Sequence, residues 1–269
     1  MIMQRTFENY FENGAEIPGE VIDELLRKAH SRLAPALARI RRPLARVAVI
    51  ESSIGRLMAA QSPRGLVALR FLDSEDTASL LRALRQRFEV IEDDAVALEI
   101  GTEIERLMQG DSDAISARAV DLSLVESDFQ RRALMRLRRV PAGSVISYQG
   151  LAAALGVPSG QRAIGNTVAT NPVPIYVPCH RVIRSDGSIG NYGGGPERKL
   201  KLLRAEGFGV SRQRRVPSEA VYGHWGSRIF CRPTCSSVRR TERRQWLIFA
   251  DPERARRFGM RACKLCNPA

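Results

Sequence analysis

Apolar positions Ile22, Leu25, Leu26, Ala29 and Leu33 recur at helical spacing and predict a long amphipathic helix within residues 1–45. Arg39, Arg41, Arg42 and Arg46 follow as a basic, solvated end, and the simplest reading is a helical extension packed on the next domain. From Arg46 to Gln61 the pattern becomes that of a hairpin turning at Ser52-Ser53-Ile54-Gly55, and Gly65 precedes a further apolar strand over 66–72. Leu80, Leu81 and Leu84 predict a helix over 75–87, and another is expected over 93–109. Strands followed by helices make this stretch an α/β unit.

Beyond residue 140 the periodic runs shorten. Ser147 is placed to cap a helix holding Leu151, Ala152 and Leu155, which Gly156 ends. Ser159 is placed to cap the next, through Arg162, Ile164, Gly165 and Val168, before Asn171-Pro172 stops it. Two short helices joined by a Gly-Val-Pro turn look like a helix-turn-helix, although taken alone an ordinary helical hairpin in a core is the simpler reading. Residues 171–177 read as an apolar extended stretch broken by prolines, expected to carry Cys179 into a wall rather than onto a helix face. Ser185-Asp186-Gly187-Ser188 reads as a turn, and 191–195 as a loop where backbone can approach a ligand. Pro196 opens a final helix weighted by Leu200, Leu202 and Leu203; Glu206 lies at its end and Gly207 stops it.

Two cysteine patterns carry candidate chemistry. In Pro178-Cys179-His180-Arg181 a thiol is followed by an imidazole and a guanidinium. Nearby positive charge favours the thiolate, the form that attacks carbon; a buried structural cysteine beside two solvent-facing basic residues is the other reading. The remaining cysteines pair as Cys231-x-x-x-Cys235 and Cys263-x-x-Cys266, the spacing of a tetrahedral Cys₄ zinc site. Two disulfides would use the same residues. Nothing before residue 40 reads as a secretory leader, so a cytoplasmic chain with reduced thiols is expected, and that favours Zn²⁺.

Composition narrows the partners. The chain has 269 residues, room for two or three domains, and 44% hydrophobic residues, enough for buried cores. A formal net charge of +13 and a pI near 10.4 favour a polyanionic partner. Aromatics at 6% argue against a base-stacking platform for single strands. No apolar stretch is long enough to span a membrane.

The run Phe129-Gln130-Arg131-Arg132, Tyr148, Arg162-Ala163-Ile164-Gly165, Asn171-Pro172-Val173-Pro174-Ile175, Pro178-Cys179-His180-Arg181-Val182, Gly187 through Gly195 and Glu206-Gly207 resembles the O6-alkylguanine-DNA alkyltransferase family, over residues 46–208. The resemblance implies double-stranded DNA carrying alkylated bases as partner and substrate. It implies irreversible transfer of an alkyl group from O6-alkylguanine, and from O4-alkylthymine, to Cys179. His180 would deprotonate Cys179 through a water, Glu206 would orient and charge His180, and Asn171 would brace the loop. Tyr148 would donate a proton to the leaving guanine or press on a phosphate. Arg162 would fill the gap left by the extruded base, and Tyr192 with the backbone of Gly193 would line the base pocket. Some relatives carry Ser at the position of Gly193; Ala133-Leu134 replaces a usual aromatic, and the loop 140–143 lacks a frequent Tyr.

Residues 219–269, with Ile229-Phe230-Cys231-Arg232-Pro233-Thr234-Cys235 and 258–268, resemble the zinc domain of the adaptive-response (Ada) protein. That likeness implies Cys231, Cys235, Cys263 and Cys266 as Zn²⁺ ligands, with Cys231 also accepting a methyl group from a DNA methylphosphotriester. Val238 stands where relatives often carry a basic residue. The expected fold is an α/β ribonuclease-H-like N-terminal domain, then a mostly α alkyltransferase domain with a helix-turn-helix, then a small α+β zinc domain. The expected divisions are a helical extension at 1–45, the α/β domain at 46–120, the catalytic and DNA-binding domain at 121–210, a basic linker at 211–218 and the zinc domain at 219–269. Residues 46–120 contain no cysteine, so the structural zinc of some relatives is not expected there. The regulatory domain that follows the zinc module in the adaptive-response protein is expected to be absent, the order of parts is reversed, and a monomer is expected. Two further readings stand beside repair: a zinc-dependent DNA-binding sensor of alkylation, and a thiol hydrolase using Cys179 and His180, for which no oxyanion-hole motif is evident.

Overall fold

The structure is a computed structural model that describes residues 19–40, 42–73, 77–240 and 246–268. It divides into two compact units, Met1–Pro43 and Leu44–Ala269. In the first, the expected amphipathic helix is α1 (Gly19–Ile40), where Glu24 pairs with Lys28 one turn on. Residues 1–18 and Arg41 of the expected extension lie outside the described residues.

The second unit is mixed α/β and begins with strands β1 (Leu44–Ile50), β2 (Leu57–Ser62) and β3 (Gly65–Phe71). The expected hairpin forms, with β1 antiparallel to β2 and Val47 opposite Ala60. Its turn closes through Gly55, whose N–H donates to Ser52 O at 2.9 Å. Gly55 sits at φ +114°, where a side chain would be strained. Helix α2 (Thr77–Arg87) crosses over to a strand the hydrophobic pattern did not announce, β4 (Glu89–Glu92), parallel to β1. Its two glutamates are exposed, so it carries no apolar alternation. Helix α3 (Asp94–Met108), capped by the side chain of Asp93, follows. The sheet order β3-β2-β1-β4 puts Val47, Met58 and Ala60 against Leu80, Leu84 and Phe88. Ile50, Leu57 and Leu69 instead join Ile100 and Ile104 in the main core.

Next come α4 (Asp128–Leu137), β5 (Ser144–Ser147), α5 (Tyr148–Ala154) and α6 (Gln161–Ala169). Ser147 caps α5 as expected, its Oγ accepting from Gly150 N at 2.9 Å. Ser159 does not cap α6: the N-cap is Gly160, with no side-chain cap, and the helix starts one residue later than the sequence signal. α5 packs on α6 and on α4.

Residues 171–177 are not extended. Val177 N donates to Val173 O at 2.9 Å and Ile175 takes φ 75°, so the prolines direct a tight turn. The chain then enters a single 3₁₀ turn, Cys179–Arg181, before β6 (Val182–Ile183) and α7 (Pro196–Ala205).

The C-terminal part supplies β7 (Val221–His224), β8 (Ile229–Cys231), α8 (Ser236–Arg240), β9 (Trp246–Phe249), α9 (Pro252–Arg257) and β10 (Arg261–Ala262). Its strands do not form a separate sheet. One six-stranded sheet runs β10-β8-β7-β9-β5-β6, so β9 pairs with the strand that leads into α5. The basic segment 211–218 is likewise tied down. Ile189 N donates to Arg214 O and Val216 N to Gly187 O, both at 3.0 Å. Among the described residues no helix is long and apolar enough to cross a membrane.

Candidate active site and metal centre

Cys179 begins the 3₁₀ turn and is 5% exposed. The turn before it is clamped by Asn171, whose Nδ2 donates to Val177 O at 2.8 Å while its Oδ1 accepts from Val173 N at 3.1 Å. The N-terminal sheet braces this clamp from behind. Arg70 Nη1 donates to Asn171 O and Leu69 N to Pro172 O, both at 2.8 Å.

His180 and Glu206 are fully buried, with Nε2 and Oε1 2.8 Å apart. Arg181 completes the cluster: its Nε donates to Glu206 Oε2 at 2.9 Å, its Nη2 to Oε1 at 2.6 Å, and its Nη1 to Val140 O. Burial alone would raise the Glu206 carboxyl, but Arg181 and His180 outweigh it and hold the group down at about 2. Burial pushes the His180 imidazole below its usual value, against the pull of Glu206. The resting state is therefore a neutral imidazole on a carboxylate already balanced by Arg181. A carboxylate only accepts hydrogen bonds, so the imidazole hydrogen sits on Nε2. Nδ1 is left as a buried acceptor with no hydrogen-bond partner among the described residues, which is the arrangement of an available base.

The sequence reading of Cys179 needs one correction. Its neighbours His180 and Arg181 turn to Glu206, and burial pushes the thiol up; hydrogen bonding with Asn171 and the charge of Lys199 only partly oppose this. Adjacency in sequence does not make a ready thiolate; the thiol needs a base.

Lys199 escaped the sequence reading. It is fully buried, and its Nζ donates to Val182 O and Ile189 O at 2.6 Å and to Asn191 O at 3.3 Å. Burial lowers it to about 8, with Cys179 pulling the other way. The signal was its place on α7, three residues before Leu202 on the apolar face.

Tyr148 is the first residue of α5. Burial raises its phenol, and so does the nearby Cys179. Tyr192 faces His180 edge-on at 6.4 Å between ring centroids, and Phe71 at the same distance. A Cβ at Gly193 would meet nothing within 4 Å, whereas one at Gly194 would fall 2.6 Å from Phe71 and 2.8 Å from Tyr192. Position 193 is thus open to a larger residue and position 194 is not. Arg162 is exposed at the start of α6. The structure thus gathers Cys179, His180, Glu206, Asn171, Tyr148 and Tyr192 in one centre, with Arg162 on the outer helix.

The other four cysteines form a second cluster. Cys231 ends β8, and Cys235, Cys263 and Cys266 meet it with all four Sγ atoms within 4.8 Å of one another. Zn–S bonds of about 2.3 Å in a tetrahedron require sulfurs about 3.8 Å apart, so the cluster fits the ion with a small contraction. All five cysteines of the chain are free, and the four sulfurs converge on one point rather than joining as two pairs, which favours the metal over two disulfides. Backbone supports the sulfurs: Arg232 N donates to Cys266 Sγ at 3.4 Å, and Cys263 N to Phe230 O at 2.9 Å. Val238 is buried in the same cluster, so that position serves packing. Bound Zn²⁺ keeps such sulfurs as thiolates and closes a module too small to hold itself together.

A buried thiol next to a histidine that is paired with a glutamate, on a mixed α/β fold carrying a helix pair and a four-cysteine cluster that fits zinc, defines a class of thiol proteins that comparisons with known proteins make specific. The family model described as 6-O-methylguanine DNA methyltransferase, DNA binding domain, matches residues 128–208, and that described as the metal binding domain of Ada matches 209–269. The methylated-DNA–protein-cysteine methyltransferase of Cricetulus griseus is 36% identical over 190 residues, covering 67% of this chain and 89% of that protein. The bifunctional transcriptional activator/DNA repair enzyme Ada of Escherichia coli is 33% identical over 161 residues, covering 60% of this chain and 45% of that protein. The crystal structure of Mycobacterium tuberculosis OGT in complex with DNA is 30% identical, covers 60% of this chain and 92% of that one, and superposes with a TM-score of 0.50. The chain belongs to the methylated-DNA–protein-cysteine methyltransferase family, with a zinc-binding module like that of Ada. It spans less than half the length of some curated relatives, 45% of Escherichia coli Ada and 41% of the Rattus norvegicus methyltransferase.

Proposed function

We propose that the protein repairs DNA by direct reversal, moving an alkyl group from O6-alkylguanine, and from O4-alkylthymine, in double-stranded DNA onto Cys179 once per molecule. The observation that carries this reading is the buried Cys179–His180–Glu206 arrangement with the His180 Nδ1 acceptor left available. Nδ1 takes the thiol proton through one bridging water, and the Glu206 carboxylate, which Arg181 holds ionised, stabilises the imidazolium that results. The thiolate attacks the alkyl carbon: an S–C bond forms, the O6–C bond breaks, and its electron pair leaves with guanine. Tyr148 supplies the proton the leaving base takes up. The thioether has no route back, so the protein is consumed.

The lesion must leave the base stack to reach a buried thiol. In this reading Arg162 fills the space it vacates, and Tyr192 with the Gly193 backbone holds the extruded base. The N-terminal domain at 46–120 is taken as ribonuclease-H-like, the catalytic and DNA-binding domain as 121–210, the linker as 211–218 and the zinc domain as 219–269. Cys231 is proposed as a second acceptor, its sulfur attacking the methyl carbon of a methylphosphotriester while the phosphodiester anion leaves. The protein is taken as a cytoplasmic monomer. Intact-mass measurement after mixing with duplex containing O6-methylguanine, with digestion to locate the added group, tests the reading. A methyl on Cys179 supports it, and an unmodified thiol with the lesion intact overturns it.

A further inference from the structure

The zinc module is built into the alkyltransferase, not tethered to it. β9 pairs antiparallel with β5, with Ser144 opposite Phe249, Val145 opposite Ile248 and Ile146 opposite Leu247. β5 in turn pairs with β6, the strand that leaves the Cys179 turn. Phe230, Phe249, Ala255 and Met260 of the module lie in the same core as Tyr176, Val177 and Cys179. The guanidinium of Arg136, on α4, stacks 3.9 Å from the ring of Trp225.

One side chain crosses from the module to the catalytic carboxylate itself. Arg254, on α9, donates from Nη1 to the main-chain oxygen of Glu206 at 3.1 Å. Its guanidinium fills a slot between two backbone segments. A Cβ at Gly207 would lie 1.9 Å from Nη2 and one at Gly143 would lie 2.6 Å from Nη1, so neither position accepts a side chain while Arg254 is there. Asp251 holds the arginine from its own side, accepting from Arg254 N at 2.8 Å and pairing with Nε at 3.3 Å. Glu206 is the C-cap of α7, where the helix leaves carbonyls unpaired and a cation is favourable. Glu206 is thus tied at both ends, its carboxylate to His180 and Arg181 and its carbonyl to the zinc module.

We propose that Arg254 is a positioning residue of the Cys179 centre, setting Glu206 against His180 from within the zinc module. This rests on reading that centre as the alkyl acceptor. Without Arg254 the end of α7 is released and the carboxylate loses its fixed approach to Nε2. The imidazole then becomes a weaker base, and the thiol must ionise unaided. Among the described residues, the charged and titratable groups near this pair are Arg181, Lys199, Tyr192 and the adjacent Cys179, with Arg254 at the Glu206 carbonyl.

The test is single-turnover methyl transfer from duplex O6-methylguanine by the zinc-loaded full chain, over about pH 6 to 9, a range spanning the imidazole and thiol pKa values. Arg254→Ala should slow transfer about tenfold at neutral pH, a part of what a positioned acid–base group supplies. The rising limb that reports ionisation of the Cys179 thiol should move up by about one unit so that the deficit closes at high pH. Arg254→Lys should restore part of the rate. Arg257→Ala, on the same helix but exposed and, among the described residues, paired with Glu253 alone, should match wild type, and zinc content and duplex affinity should not change in any of them. A wild-type profile for Arg254→Ala, or an equal proportional loss at every pH, overturns the proposal. Should the alanine variant not fold, Arg254→Gln carries the test, and an unshifted limb there overturns it as well. Wild-type protein that never methylates Cys179 overturns both this proposal and the reading beneath it.

Discussion

His180 Nε2 lies 2.8 Å from Glu206 Oε1 with both side chains fully buried, and Arg181 takes up the rest of the carboxylate. A buried carboxylate left unpaired would be costly; here the guanidinium neutralises it while the imidazole stays uncharged. The pair is therefore stable at rest and able to accept one proton on Nδ1. That proton can come from Cys179, whose own burial otherwise keeps it a thiol.

Replacing the sulfur tests the centre most directly. Cys179→Ala should abolish methyl removal from guanine while leaving duplex affinity within a few-fold of wild type, since no other group there can form the thioether. Stoichiometric loss of the guanine methyl in the alanine variant would refute the assignment.

The Glu206–His180 pair also sets a pH signature in stability. The folded pKa of Glu206 lies at about 2, below its ordinary 4.5, so the unfolded chain takes up its proton first on acidification. The stability this group contributes is full above about 4.5 and is lost as pH falls towards 2, on the order of 3 kcal/mol in all. His180 is held below its ordinary 6.5, so stability also begins to fall once pH drops below that value. Melting temperature against pH should show both declines. Glu206→Gln should flatten the lower one, and an unchanged acid slope in that variant would count against the pairing.

Arg162 stands exposed at the start of α6. Arg162→Ala should weaken transfer from duplex lesions more than transfer from a free alkylated base, because its proposed role is to offset base extrusion, about a few kcal/mol. Rates compared on the two substrates decide the matter, and equal losses would exclude that role.

How far the sequence carried the argument depended on the range of the interactions involved. The Ser147 cap, the Gly55 turn, the Gly207 stop and the paired cysteines are local and were legible. Ser159 was misread because two small residues adjoin the start of α6 and only the backbone chooses Gly160 between them. Residues 171–177 looked extended because prolines exclude helix but do not distinguish a strand from a tight turn. The place of Lys199 three residues before Leu202 hinted at burial, but the three carbonyls that receive its ammonium come from the 182–191 segment, and nothing on its own helix announces them. Pairing of β9 with β5 joins residues about a hundred positions apart, and neither strand says which edge it will take.

The zinc cluster joins these scales, since its spacing is local but its consequences reach the catalytic domain. Cys263→Ser should remove one ligand and lower zinc content of the full chain from one ion to a substoichiometric level. Because β7, β8 and β9 belong to the sheet that contains β5, metal loss should also lower the melting temperature of the catalytic part, by about 2–4 °C for each kcal/mol lost from a unit of this size. Zinc analysis together with melts followed near Trp225 and Trp246 measures both effects. The acceptor role of Cys231 is tested separately. Peptide mapping after exposure to DNA carrying methylphosphotriesters should find a methyl on Cys231 and none on Cys235, Cys263 or Cys266. A zinc-loaded protein whose Cys231 stays unmodified would leave the module as a metal-stiffened extension of the β5 sheet, with Cys179 as the one acceptor.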